Sequence, residues 1–457
     1  MRALDAGAIR PGAHGLAMAA GRSPLGPALY SPNPPDPGRS RLDGAVAGRL
    51  ELILDTTTPP PQIAGHAAAE RPASAGPAPS ARASSPGKPL RIAYLGDPNS
   101  RHTRRWMRFF LERGHEIHLL VPAGDRVEVA QDEGIKVHRF EAWPPMPVRG
   151  LSALRTARAL RRLIGSIRPD LLHAHYVTRY AAAAWLSGFH PYVVTVWGTD
   201  VQAAVRTSRR RRLQARLALR AADLVTGGSE HLVRLAIAAG ARPERTRYVH
   251  FGVDTDRFSP GPEPAALRAR LGLEGRRVLL SNRSIAPVYR QGVVVEALAS
   301  LPTDVVAVMT RHLARAAEVE ALEARAARLG VADRLLIADA IDDAEMPDLY
   351  RLADVIVSIP ESDGGPTTLA EALAVGKPVV ATDLPSAREW REEIGPDALV
   401  PVGDAGATAG AILAVLKRDR ALEADRSNRA RQRVLDRADQ QRNMELMERL
   451  YLDLAGR

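Results

Sequence analysis

Cysteine is absent from the 457 residues. That excludes a disulfide framework and any chemistry that needs a thiolate. Aromatic residues make up only 4%, too few for the stacking platforms on which single-stranded nucleic acids lie, so no nucleic-acid partner is expected. There is no run of eighteen apolar residues, hence no expected membrane span. Gly-x-Gly-x-x-Gly does not follow the first strand, which withdraws support for a dinucleotide cofactor; no cofactor is expected. Lysine is scarce, and nearly all the cationic side chains are arginine.

Acidic residues are outnumbered, 52 against 63 basic ones, for a formal net charge of +11. The first 88 residues hold nine basic and six acidic groups, so about +8 belongs to the remainder. Such an excess attracts anions or an anionic surface. Residues 1–88 also contain 14 of the 35 prolines. Runs such as Pro32-Asn33-Pro34-Pro35 and Pro59-Pro60-Pro61 oppose regular structure, and a disordered Pro/Ala-rich tail is expected there. It has no basic start followed by an apolar stretch, so it does not read as a secretory signal.

At Leu90 the pattern changes to short apolar runs alternating with amphipathic stretches. Leu90–Leu95, Glu116–Val121, Asp170–His175, Tyr192–Val196 and Ala222–Thr226 read as strands. Arg101–Arg113, Leu151–Ile167 and Arg209–Leu219 read as helices. Strand–helix alternation of this kind predicts a doubly wound parallel sheet. A second series begins with Arg277–Leu280 and continues through Val305–Met309 (strand), Ala314–Leu329 and Met346–Leu352 (helices). Ala407–Lys417 and Asp419–Leu454 are expected as terminal helices. His173 and His175 lie two apart on a strand and share a face. With no cysteine or third histidine nearby in sequence they make a weak metal pair, and no metal site is assigned.

The most informative stretch is Ala353–Asp383. Val355–Ile359 is a buried strand and Pro360 ends it. Glu361-Ser362-Asp363-Gly364-Gly365 is a loop, with Pro366 suited to the first position of a helix. Thr367–Val375 is a small-residue helix stopped by Gly376 and Pro378. A glycine loop opening a helix behind a buried strand presents free N–H groups and a positive dipole end, an anion site best suited to phosphate. Glu371, one turn further on, is placed to accept from sugar hydroxyls.

Asp363, seven residues and then Glu371-Ala372-Leu373-Ala374-Val375-Gly376-Lys377-Pro378-Val379 resemble the signature of the retaining family 4 (group 1) glycosyltransferases. The resemblance implies the GT-B fold: two facing Rossmann-like α/β domains, acceptor domain 89–259, donor domain 260–435, and a final helix 436–457 returning to the first. It implies a nucleotide-diphosphate sugar as donor and a glycan, lipid or small molecule as acceptor, without a metal. By position it implies Asp363 and His175 beside the transferred sugar. Arg283, Gly364, Gly365, Thr367 and Thr368 would hold the diphosphate, and Glu371 the ribose. A second cation normally joins the arginine; here Tyr289 takes the usual lysine position with Arg290 beside it. Either Arg290 supplies that charge or one arginine and backbone amides suffice. Asn99, His102, Trp197 and Asp200 would face the acceptor, whereas Arg104 and Arg105 read as a solvated basic face. Asp254-Thr255-Asp256 resembles the interdomain segment and is given no metal.

Other readings are a sugar-nucleotide epimerase on the same architecture and a binding protein that kept the fold and lost activity. These readings place the protein in the cytoplasm. Arg209–Arg212 is either a solvated face or a contact with the anionic inner surface of a membrane.

Overall fold

The computed structural model describes residues 88–456, apart from 126, 128–133, 142–149, 207, 312–313 and 339–340. Residues 1–87, the whole expected tail except Lys88, lie outside the described part.

Two all-parallel sheets organise the chain. The first holds β1 (Arg91–Leu95), β2 (Glu116–Pro122), β3 (Lys136–Phe140), β4 (Leu171–His175), β5 (Tyr192–Val196), β6 (Leu224–Gly227) and β7 (Thr246–Tyr248). The second holds β8 (Arg277–Ser281), β9 (Val305–Thr310), β10 (Leu335–Ala338), β11 (Val355–Ser358), β12 (Val379–Thr382) and β13 (Leu399–Val400). The central strands are short apolar runs buried along their length, as a sheet covered by helices on both faces requires. Strand order is β3-β2-β1-β4-β5-β6-β7 in one sheet and β10-β9-β8-β11-β12-β13 in the other. Each is doubly wound, reversing direction between β1 and β4 and between β8 and β11. In open α/β sheets ligands bind at such switch points, beyond the carboxyl ends of the strands. This is the GT-B arrangement that the resemblance implied.

The helices used below are α1 (Arg101–Glu112), α2 (Gly150–Ile167), α3 (Ala182–Ser187), α4 (Thr199–Arg206), α5 (Arg209–Ala221), α6 (Glu230–Ala239), α7 (Gln291–Ala299), α8 (Ala316–Arg328), α9 (Met346–Leu352), α10 (Thr367–Val375), α11 (Ala405–Leu416), α12 (Arg420–Arg437) and α13 (Gln440–Leu454). Two expectations are corrected. The stretch 419–454 is two helices, broken at Ala438-Asp439. Pro366 stands at the N-cap of α10, one residue before the helix.

That break has a partner. Val253, on the segment joining the two sheets, donates to Ala438 O (2.7 Å), and Gln440 donates back to Val253 O (2.9 Å). The chain therefore crosses between its halves twice, side by side. Gly252 has φ +87°, and a Cβ there would fall 2.4 Å from Gln440 Cα, so only glycine permits the approach. Beyond the break, α13 lays Met444, Met447 and Tyr451 into the core of the first sheet with Trp106 and Phe110. Tyr451 accepts from Trp106 Nε1 (3.2 Å), and Glu448 binds Arg113 and His115 at 2.8 Å.

Candidate functional site

Loops at the carboxyl ends of the two sheets meet. Ser281 ends β8, and Asn282 and Arg283 leave it. Arg283 Nη1 lies 3.1 Å from Asp363 Oδ2 in a mostly buried ion pair and 3.4 Å from Thr368 Oγ1. Its guanidinium sits 4.4 Å from the centre of the Tyr289 ring. Burial pulls the Arg283 pKa down, but Asp363 and Tyr289 more than offset it, and the net shift is upward. Tyr289, at the position where the resemblance implies a lysine, thus supports the arginine through its ring and hydroxyl. Arg290 turns instead to Glu361 (2.6 Å) on a half-exposed surface.

No described side chain caps α10, which leaves its first turn and positive dipole end to an anion. The cradle is narrower than the sequence suggests. The Gly365 amide donates to Asp363 Oδ1 (3.3 Å) and the Thr367 amide to Gly365 O (2.8 Å). Of the amides from Gly364 to Thr368, those of Gly364 and Thr368 are the ones not engaged by these two bonds. Glu371 accepts from the Tyr350 hydroxyl (2.6 Å), which accepts in turn from Asn282 Nδ2 (2.9 Å). Burial raises the Glu371 pKa; the Tyr350 bond and Arg105, Arg283 and Arg101 pull against it. Arg105 is accordingly no solvated residue. It donates to Gly252 O (3.3 Å) and to the Gln440 side chain, inside the double crossing.

On the first sheet, β4 ends at fully buried His175, whose Nδ1 lies 3.2 Å from Thr103 Oγ1. Burial, reinforced by His102, lowers its pKa to about 3, so it is a neutral imidazole at physiological pH. His102 keeps a solvent-exposed edge in a crevice with Trp106, Trp197, Phe251 and Met444. Burial and then Arg105, Arg101 and Arg283 lower its pKa to about 4. Asn99 is exposed beside it on the β1 loop. Trp197 stacks on Phe251, centroids 4.2 Å apart. Asp200 is engaged by backbone: it accepts from Val177 (2.8 Å), Trp197 (3.0 Å) and Gly198 (2.8 Å). It is buried, and its first visible task is to fix the turn ahead of α4.

The two halves touch through Gly364. A Cβ on it would lie 2.6 Å from Gly198 Cα and 2.7 Å from Trp197 O. Ser229 Oγ donates to Gly364 O (2.6 Å) while also capping α6. Ser362 Oγ donates to Gln202 (2.8 Å). Glu389 accepts from the Glu230 (3.1 Å) and His231 (2.7 Å) amides, so a carboxylate of the second half sits on a helix N-terminus of the first. Sequence reading passed over Ser229, Phe251, Gln202 and Glu389. Only Ser229, an N-cap type before an amphipathic run, carried a local signal.

Among the buried polar atoms without a hydrogen-bond partner among the described residues are His175 Nε2, Trp197 Nε1 and Asn282 Oδ1, all at the carboxyl ends of strands. Such atoms cost about 1–3 kcal/mol each when left unpaired. Gathered beside a buried arginine and an uncapped helix, they mark where a polar, anionic ligand would find partners. Among the described residues no cluster of three or more His, Asp or Glu side chains could hold a metal ion.

Residues 91–229 match the family model described as glycosyl transferase 4-like, and residues 265–433 the one described as glycosyl transferases group 1. Together they take in more than half of the chain. A D-inositol 3-phosphate glycosyltransferase of Geodermatophilus obscurus is 32% identical over 276 residues, 56% of this chain and 61% of that protein. The Streptomyces scabiei protein of the same name is 30% identical over 244 residues, 47% of this chain and 53% of its own. The chain thus spans little more than half the length of these curated relatives. Among solved structures, Anabaena Alr3699/HepE in complex with UDP superposes with TM-score 0.66 at 21% identity, over 80% of this chain and all of that one; at that identity the likeness is one of fold.

Proposed function

Because this chain belongs to the group 1 glycosyltransferases and carries their GT-B fold, we propose that it moves a sugar from a nucleotide-diphosphate sugar to an acceptor hydroxyl, with retention and without a metal. The acceptor is a glycan, a lipid or a small molecule. The observation that carries the reading is the meeting of the two carboxyl edges: the loop of Asp363 and Gly364, which holds Arg283, packs on Trp197 and Gly198, and His102 beside neutral His175 feels the charge of Arg283. We assign the donor to residues 260–435 and the acceptor to residues 89–259, with 436–457 returning to the first half.

As the sugar leaves, negative charge grows on the diphosphate. Arg283 and the α10 amides are fixed before the reaction and stabilise that charge at no reorganisation cost. Arg283 is balanced by Asp363; a bound diphosphate competes for the arginine and frees the aspartate to face the cationic sugar. His175 Nε2, already dry and unpaired, hydrogen-bonds a sugar hydroxyl as a neutral group. Glu371, held by Tyr350, takes the ribose hydroxyls. Retention is what family membership supports.

The test is a panel of nucleotide sugars read by thermal shift. A donor at a hundred times its dissociation constant stabilises by about 2.7 kcal/mol, and the donors that do so are then assayed for transfer. Turnover with no acceptor would replace the reading by an epimerase. Donor binding without transfer to any acceptor would make the chain a binding protein.

A further inference from the structure

The positive charge of this chain is concentrated in one segment. Between Glu141 and Asp223 the acidic residues are Asp170 and Asp200 alone, against 14 arginines, a net +12 where the whole chain carries +11. Helices α2 and α5 hold most of these arginines and no acid. Both pack against the short α3 between them, on one face of the first sheet.

Charge is not the whole of it. Seven large apolar side chains stand exposed among the described residues, and four are on these two helices: Leu151 (73%), Leu154 (53%), Leu213 (57%) and Leu217 (38%). Leu213 and Leu217 are one turn apart and form a ridge on α5. At helical spacing Arg209, Arg216 and Arg220 flank it on one side and Arg210 on the other. In a parallel sheet each connecting helix starts at the carboxyl edge of the strands. Leu151 and Leu154 open α2, which follows β3, and so lie toward that edge; α5 is the second helix between β5 and β6, with Leu213 and Leu217 in its middle.

We propose that this helical face of the first half seats the protein on an anionic lipid bilayer. The leucines enter the headgroup–acyl boundary and the arginines stay at the level of the lipid phosphates. A face that merely dissolves in water needs arginine but no leucine ridge, and a nucleic-acid backbone offers the ridge nothing apolar to bury against. Resting on the transfer reading, the same seating sets the acceptor side of the cleft at the membrane and favours, of the three acceptor classes, a lipid-borne one. Vesicle binding itself does not depend on transfer, so the two can fail separately.

The experiment is sedimentation of the full chain with vesicles of phosphatidylcholine alone and of an equimolar mixture with phosphatidylglycerol. Binding is expected to the mixed vesicles only, weakened by salt. Each arginine near an anionic surface is worth about a fivefold factor. Arg210→Ala with Arg212→Ala should therefore lose about thirtyfold. Leu213→Ser with Leu217→Ser should lose at least tenfold on mixed vesicles and leave any binding to duplex DNA unchanged. These positions are exposed, and circular dichroism confirms that each variant keeps its helices. Equal binding to both vesicle types overturns the proposal. So does a leucine pair that binds mixed vesicles like the parent, because the helical face is then a basic one open to any polyanion.

Discussion

Gly364→Ala separates closure of the two halves from folding. Gly364 does not occupy the left-handed region, so alanine is allowed there by the backbone. Its added carbon would sit 2.6 Å from Gly198 Cα and 2.7 Å from Trp197 O, both backbone atoms that cannot rotate away. Ordinary carbon contacts lie near 3.5–4.0 Å, so the halves must part by about 1 Å. The Ser229 bond to Gly364 O and the Ser362 bond to Gln202 are weakened with them, a cost of about 1 kcal/mol each. The separate cores of the two sheets are untouched, and the melting temperature should fall by only a few degrees. Misplacing reacting groups by about 1 Å costs on the order of a hundredfold in rate. The expected result is nucleotide affinity near the parent's, read by calorimetry, with kcat/KM for transfer down about a hundredfold. Gly365→Ala is the control. Its nearest neighbour is the Phe251 ring at 3.0 Å, a side chain that can give way, and its loss should be several times smaller. Parent-level transfer by Gly364→Ala would show that the closed contact plays no part in catalysis.

Arg283→Ala should weaken nucleoside diphosphate binding and turnover together; unchanged affinity by calorimetry would remove this residue from the site. Glu371→Gln should raise the donor KM more than it lowers kcat, whereas Asp363→Asn should cut kcat by about a hundredfold at saturating donor. If Glu361→Gln carries that kcat loss instead, the acid has been assigned two residues too late. Burial holds the Glu371 pKa above its unfolded value. Its ionised form therefore destabilises the fold at pH values above that raised pKa, and the penalty is gone below the unfolded carboxylate range. Glu371→Gln should melt above the parent at neutral pH, with the gap closing as pH falls through about 4; a constant gap would contradict the burial argument. Transfer should survive EDTA, and full loss rescued by manganese or magnesium would return Asp254 and Asp256 to consideration as ligands.

The strand–loop–helix around Gly364 was legible because each signal in it is local: a β-branched run, a proline, two glycines, a small-residue helix and Gly376 in the left-handed region at φ +81°. Central strands were legible for the same reason. The edge strand Lys136–Phe140 was missed, since its Lys-Val-His-Arg-Phe is half polar and it lies at the margin of its sheet. The two-residue strand Leu399–Val400 is too short to have a period. Nothing between Arg420 and Leu454 announces a break by glycine or proline; Ala438-Asp439 departs from the helix to pair with Val253, almost two hundred residues away. Arg105 failed similarly. A charge on an amphipathic helix looks solvated until the opposite half of the molecule closes over it. The partner of Glu371, Tyr350, lies a whole strand earlier, beyond any local pattern.

The return of α13 to the first sheet makes the physical unit and the genetic unit different things. The pocket around Trp106, Phe110 and His115 is finished by Met444, Met447, Glu448 and Tyr451, a stretch encoded beyond the whole of the second sheet. The half whose strands are synthesised first is thus completed only after the strands of the other half have been made, and until then part of its core stays uncovered. A gene fragment stopped after β7 encodes a body with a missing wall. A chimaera that exchanges acceptor halves between relatives must carry two separate pieces of coding sequence, the second one lying beyond the donor half that it leaves alone.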